Sequence, residues 1–481
     1  MSEQVYPTPN ITSSQIEMEL ENQNKKKEEI ILSKGLRWFI LLILCLLHSF
    51  LGVSGGVFSS GVKIIKKELN LTDNQFGSFG SINGIGSIIG SFLFTLLNNK
   101  ISRKYYFLFA MSLNTCMNLC FFFSNKYLIL CMARFLSGIG CVVGYCYFPI
   151  WVDQFGMQKW KTVMFTLVNL SGNLGMLWGY LINLIIGSDK WKLGLLTEIC
   201  SIMTLVFILL LLPDKYFNKE MYFVPLKEGE TRENSIFSPF LIENSKKNEE
   251  NKNENNNSNH NFYNSVLCNP SFLLISFFKS TVAFVAIAQF FWFTDFAQSS
   301  LLVSEPKYIF LAYSASLVFS GMGGVALGGI ICTFVGGYNG KYALTTMIIS
   351  QFLACVFAFL CTKMTTLFYF ALFDAIFNVL NSIGSLIGSG YVLTTVPKDM
   401  TGTANGTFMF LLNVLGFMPA PMVYAAVKSY FGNSKMAMTL LMYYNFLGLF
   451  ALVIVGLIKK NKKNENENEG TLLSDLNENE N

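Results

Sequence analysis

One ionisable side chain lies inside each of four long apolar runs of the sequence: His48, Arg134, Lys279 and Asp374. An ionisable group placed centrally in such a run costs about 2.5–3.5 kcal/mol on insertion scales, so it is expected to face a cavity or a partner. The types are chemically complementary. Arg134 and Lys279 would make a cavity basic and receive an anionic head group. Asp374 has too short a side chain to reach water from mid-run, and it is expected to pair with Lys279 when the site is empty. A phosphate or carboxylate would then compete for the cation and loosen the pair. An imidazole titrates near pH 6.5 in water, which makes His48 the candidate proton switch. Gln289 and Trp292 stand three apart and share a helix face beyond Lys279, with Phe290–Phe293 as an apolar wall. Asn378 belongs to a neutral polar set with Asn169, Asn173, Asn381, Asn405 and Asn413. Plain structural roles compete with each assignment: Lys279 can snorkel, and His48 and the asparagines can hydrogen-bond between helices. Glu198 lies close enough to the end of its run to be expected at the interface.

The elements that position these residues follow from composition. Of 481 residues, 52% are hydrophobic and 14% charged, Phe contributes 46, and the mean hydropathy is +0.44. An ordinary soluble domain carries about 25% charge, so a soluble globular fold is excluded. Crossing the hydrocarbon core takes about 20 mostly apolar residues. Runs free of Asp, Glu, Lys and Arg are Trp38–Val62, Phe76–Asn99, Tyr105–Asn125, Thr162–Ser188, Tyr308–Gly340, Tyr342–Thr362, Thr401–Val427 and Met436–Ile458. Tyr127–Val152, Leu193–Pro213, Asn261–Thr294 and Met364–Pro397 each hold a single charge: Arg134, Glu198, Lys279 and Asp374. Backbone groups must be satisfied within lipid, so the expectation is an all-α membrane protein of twelve transmembrane helices. The runs divide into two pseudo-symmetric six-helix bundles, 35–213 and 265–460. Residues 1–34, the Asn-rich loop 214–264 and residues 461–481 are expected to be disordered. Span two (Gly77–Gly90) and span eight (Ser320–Gly329) both space small residues three or four apart, consistent with a repeat and with close helix packing. Lys and Arg concentrate on the side of the termini and central loop, which places that side in the cytosol, although Lys63, Lys66 and Lys67 fall opposite.

Short motifs add a resemblance. Asn98–Lys104 reads NNKISRK and is similar to the loop signature of the major facilitator superfamily, with Asn99 where Asp is usual, Ser102 where Gly is usual, and Lys100, Arg103 and Lys104 matching. Arg134–Gly140 resembles that family's Arg-x-x-x-Gly-x-Gly, and Gly172, Gly175 and Gly179 resemble its Gly-rich fifth helix without the Gly-Pro pair. The resemblance implies the major facilitator fold, with spans one, four, seven and ten lining a central cavity. His48, Arg134, Lys279 and Asp374 then fall one on each of those spans. It also implies a gating role for Asn99, Lys100, Arg103 and Lys104. Within the superfamily, Asn269–Phe278, Trp292, Trp191 and Asn413–Pro421 resemble the spinster-like lipid transporters. The acids that this branch places on span one and after the span-four motif are missing here, and Cys141 stands at the second position.

The expected function is secondary active or facilitative transport by alternating access, with a lysophospholipid or sphingolipid-like amphiphile as substrate and protons as the candidate coupling ion. A small hydrophilic solute (sugar, amino acid or organic anion) is the alternative, and a transport-dead sensor of the same fold is a third reading. No P-loop is present for ATP-driven transport. Two histidines and no CxxC leave neither a zinc site nor the pairs an intramembrane enzyme needs. The eleven scattered cysteines are expected to be free, apolar-like side chains. No cofactor and no nucleic-acid partner is expected, and a monomer in the bilayer is. Glu469–Leu476 resembles an acidic dileucine sorting signal, so an endolysosomal or plasma membrane is expected.

Overall fold

The computed structural model describes residues 33–97, 101–157, 160–217, 266, 268–338, 340–396 and 401–478. The expected disordered N-terminal tail and most of the central loop lie outside these residues. Twelve helical spans follow one another: α1 Lys34–Glu68, α2 Asp73–Leu97, α3 Arg103–Phe123, α4 Tyr127–Phe155, α5 Lys161–Ile186, α6 Trp191–Leu211, α7 Pro270–Ser299, α8 Pro306–Phe334, α9 Ala343–Lys363, α10 Leu367–Thr394, α11 Thr401–Phe431 and α12 Ser434–Glu478. Ten of these contain stretches long and apolar enough to cross a membrane by length and composition, among the described residues. The fold is therefore the expected twelve-helix membrane bundle. α12 runs on to Glu478, into the stretch whose composition predicts no structure; Glu, Lys and Leu are good helix formers and no proline interrupts them.

Four spans are broken, three of them at or beside glycine or proline. α1 kinks at Gly52. α8 passes through a π-helical turn at Phe319–Gly324, and α11 through another at Asn413–Phe417, just before Pro419 and Pro421. α12 is interrupted at Tyr444. Glycine and proline are the ordinary causes of such kinks, and neighbouring helices re-satisfy the freed backbone. The start of α7 is set locally: Pro270 takes the first helical turn, and the Asn269 side chain accepts the Ser271 and Phe272 N–H groups at 3.1 and 3.3 Å. Asn269 also donates to the Thr395 carbonyl at 2.8 Å, tying the start of α7 to the end of α10.

Small residues decide which helices touch. On α2, Gly86 and Gly90 lie against α4 at Phe135 and Ile139; on α8, Gly324 and Gly328 lie against α10 at Val379–Ile383. The pairs α2–α4 and α8–α10 thus occupy corresponding places in the two halves. The halves also meet reciprocally. Gly77, Gly80 and Gly84 of α2 press on Met418–Ala425 of α11, while Gly321 of α8 presses on Asn173 of α5. In the N-terminal half Gly175 and Gly179 of α5 are laid directly on the α1 backbone, and Gly172 on the His48 ring. A Cβ on Gly175 would stand 1.9 Å from the Ser49 carbonyl oxygen.

Candidate functional site

In the C-terminal bundle, α7 and α10 run antiparallel and exchange two polar contacts at different depths. Near the start of α7, Lys279 Nζ donates to the Ser385 carbonyl at 2.9 Å and to its hydroxyl. Ten residues further along α7, Gln289 Nε2 donates to Asp374 Oδ1. Asp374 Oδ2 also accepts from Ser316 Oγ of α8 at 2.6 Å and from Asn378 Nδ2 at 3.2 Å. Asp374 and Gln289 are fully buried, and Asn378 nearly so. The expected Lys279–Asp374 pair is therefore not formed. Eleven residues of α10 separate Ser385 from Asp374, about 16 Å at 1.5 Å per residue. Asp374 instead joins α7, α8 and α10 three residues before the π-turn of α8 begins, and Lys279 stays half-buried beside Ser385.

Trp292 does not line a cavity wall with Gln289. It is fully buried, donates Nε1–H to the Pro421 carbonyl at 2.9 Å and stacks on Tyr424 of α11 at 4.9 Å. The indole belongs to a seal between the bundles. Phe76 of α2 packs on Phe291 and Trp292, Ser59 of α1 donates to the Phe290 carbonyl at 2.6 Å, and Tyr180 of α5 meets Thr294 Oγ1 at 2.8 Å. An ionic cluster caps the seal. Lys428 Nζ contacts Asp295 at 2.7 Å within the C-terminal bundle and reaches across to Asp73 at 3.4 Å, and Asp73 also binds Lys66 of α1. Tyr424 and Ser434 add bonds to Asp295 at 3.3 and 3.4 Å. Among the described residues, the hydrogen bonds and ring contacts joining the two bundles lie in the half of the molecule where α1 ends and α2 begins, away from the chain termini.

The N-terminal bundle holds its own buried charges. Arg134 lies over the Phe58 ring at 4.7 Å, and Glu198 of α6 is close enough to act on it electrostatically. Glu198 is 1% exposed and accepts from Asn118 Nδ2 of α3 at 3.0 Å. The interface position expected for Glu198 is thus wrong: its side chain points into the bundle, where Arg134 offsets the cost of burying it. Arg134 Nε, Glu198 Oε2, Asn118 Oδ1 and Asn114 Nδ2 lack hydrogen-bond partners, and Ser137 of α4 donates to Asn114. His48 is buried; its Nδ1 meets the Val168 carbonyl of α5 at 2.7 Å and Ser171 Oγ at 3.1 Å, and its ring packs edge-on against Tyr145 at 4.7 Å. Nε2 has no partner.

Of the loop motif, Asn99 and Lys100 lie outside the described residues. Arg103 and Lys104 are buried against their own bundle. Arg103 donates to Gln154 Oε1 at 2.9 Å, and Lys104 Nζ to the Leu210 and Leu212 carbonyls that end α6.

The twelve-span order, the paired α2–α4 and α8–α10 contacts and the two reciprocal seams go with a match to the Major Facilitator Superfamily over residues 44–421. The chain belongs to this family. As a member of the major facilitator superfamily it is a multi-pass membrane protein. Among solved structures it is similar to a bacterial homologue of the human lysosomal transporter Spinster in an inward-facing, occupied conformation, with TM-score 0.67 at 12% identity over 88% of this chain and 97% of that one. By sequence it is 34% identical over 113 residues to a probable metabolite transport protein of Saccharomyces cerevisiae, 24% of this chain and 23% of the relative. It is 25% identical over 169 residues to the sugar transporter ERD6-like 6 of Arabidopsis thaliana, 35% of this chain and 33% of the relative. The matches thus span a quarter to a third of these curated relatives.

Two polar groupings escape sequence reasoning: Glu198 beside Arg134, and the Lys66–Asp73–Lys428–Asp295 cluster. The signal for the second was present. Asp295 and Lys428 each stand one residue past the end of an apolar run, at Thr294 and Val427, with opposite charges.

Proposed function

We propose that this transporter works by alternating access and carries a small organic solute with an anionic end, with an amphiphile of lysophospholipid type as the leading substrate class. The observation that carries the reading is the state of Lys279. Arg134 has Glu198, and Asp374 is saturated by Gln289, Ser316 and Asn378. Lys279 is held only by the neutral Ser385 and has no acidic partner among the described residues. A cation held within a membrane bundle by neutral groups is a receptor for negative charge. With the Trp292 seal closed, entry would be from the side of the termini, the side expected to face the cytosol. Rocking the bundles about the site would break the seal and expose it opposite. Proton coupling would use the buried His48, whose imidazole is bound to α5 at Val168.

A second reading, a neutral sugar or polyol, is favoured by the named activity of the Arabidopsis relative and by the Ser385 hydroxyl on α10. Counterflow into proteoliposomes separates the two. A labelled lysophosphatidate should exchange saturably, lose exchange in Lys279→Met and regain part of it in Lys279→Arg. Saturable exchange of a hexose or polyol, untouched by Lys279→Met and with no lysophosphatidate exchange, would overturn the anionic reading in favour of the second.

A further inference from the structure

The C-terminal bundle carries an elongated groove of about 470 Å³ between α8 and α10. Its floor is made of small side chains at helical spacing, Ala312 and Ala315 on α8 and Ala371 and Ala375 on α10. Its rims are large and exposed: Phe368 is 72% and Phe319 55% accessible. Along α8 the groove extends from Tyr308 to Phe319, eleven residues or about 16 Å. Leu317 and Val318, between its rim residues, belong instead to the α5 seam. The groove is thus separate from the seam between the bundles and from Lys279.

The medium against it is hydrocarbon. Both helices are membrane spans, and only 24% of the apolar window of α8 is buried inside the protein, the lowest share among the ten spans so measured. A slot left empty there would forfeit dispersion contacts on both walls. Lipid tails are as apolar as leucine, so burial alone would not select one lipid from the bulk. Selection needs a polar anchor, and one stands in the chain between the lining residues Val303 and Tyr308. Lys307 and Glu305 form a pair at 3.9 Å, with side chains 65% and 61% exposed, and Lys307 lies over the Tyr308 ring at 5.0 Å. Adjacent positive and negative groups match the phosphate and ammonium of a zwitterionic head.

We propose that this groove holds one acyl chain of a zwitterionic phospholipid, with the head group on Lys307 and Glu305, as a bound lipid distinct from the transported solute. The inference holds whatever the substrate is. The test is native mass spectrometry of the full chain released from nanodiscs containing equal amounts of phosphatidylethanolamine and phosphatidylglycerol. The parent should retain about one phosphatidylethanolamine per chain, and Ala371→Phe, which fills the floor, should retain less than one-tenth of that. Ala315→Leu, at a partly exposed position that tolerates a larger side chain, should lose severalfold and stands in if Ala371→Phe does not fold. Lys307→Ala should lose severalfold with the groove intact. No retained lipid, equal retention in parent and Ala315→Leu, or preference for phosphatidylglycerol would each overturn the proposal.

Discussion

Neutralising Asp73 is expected to open the sealed end of the transporter. Asp73 Oδ1 is shared by two cations from different bundles, Lys66 of α1 and Lys428 of α11. In Asp73→Asn the contact at 3.4 Å to Lys428 is lost, and Lys66 and Lys428 are left facing the same neutral amide. An attraction across the bundle boundary becomes a repulsion. Two unit charges 3.4 Å apart at an effective dielectric of about 20 attract by about 5 kcal/mol. Asp73 is 22% exposed and Lys428 14%, and Lys66 competes for the same oxygen, so the net cross-bundle contribution reduces to about 1–2 kcal/mol. At about 1.4 kcal/mol per tenfold, the population open at this end should rise about 5- to 30-fold. Lys428 keeps its bonds to the buried Asp295, so the C-terminal bundle itself is not taxed.

Spin labels at Asn70, between α1 and α2, and Asn433, between α11 and α12, report the opening. The exposed Cys116, Cys200 and Cys268 would first be replaced by serine. The distance distribution between the labels should gain or enlarge a longer component in Asp73→Asn. Salt at 1 M, where the Debye length falls to about 3 Å, should shift the parent in the same direction by a smaller amount. An unchanged distribution in a variant that elutes and melts like the parent would refute the idea that this cluster latches the bundles.

Two further substitutions probe the buried framework. Glu198→Ala leaves Arg134 buried without its counter-charge and should cost about 3–5 kcal/mol, read as a lower melting midpoint in detergent; Glu198→Gln keeps an acceptor for Asn118 and should cost less, and equal melting of Glu198→Ala and parent would show that the two residues do not depend on one another. Gly175→Val places a side chain where the Ser49 carbonyl oxygen lies 1.9 Å from the first added atom, so α1 and α5 must separate and folded yield should collapse; Gly406→Ala on α11, where an added Cβ meets nothing within 4 Å, is the matched control and should gain up to about 1 kcal/mol of helix propensity.

The architecture was legible because an apolar run of about 20 residues has a single solution in lipid. Depth within a run was not. The seventh run begins at Asn261 by composition, which centres it near Lys279. Asn269 and Pro270 instead start the helix nine residues later, and the true centre moves toward Gln289. Lys279 and Asp374 both look central in their runs, yet they lie near opposite ends of an antiparallel pair. Register between helices depends on capping and on small-residue contacts such as Gly388 against the Lys279 stem, neither of which enters a hydropathy count. Glu198 was misplaced for a related reason. Proximity to a run's end says the interface is within reach, but Asn118 and Arg134 on neighbouring helices supply a better environment than water at the rim.

The distribution of charge then bears on how the molecule moves. Asp374 binds groups of α7, α8 and α10, while Glu198 binds α3 and faces α4; both carboxylates hold helices of one bundle together. Breaking either during transport would strand a buried charge, so these contacts are expected to persist through the cycle and to make each half a rigid unit. The cluster around Asp73 differs. Its cations come from both bundles, Lys66, Asp73 and Lys428 are partly exposed, and Asp73 keeps Lys66 when Lys428 departs, while Lys428 keeps Asp295. Each half therefore carries away a compensated charge when the seal parts. An ion pair that can separate without leaving either side unpaired is the physical form a reversible latch must take, and in this chain the Lys428–Asp73 contact has that form.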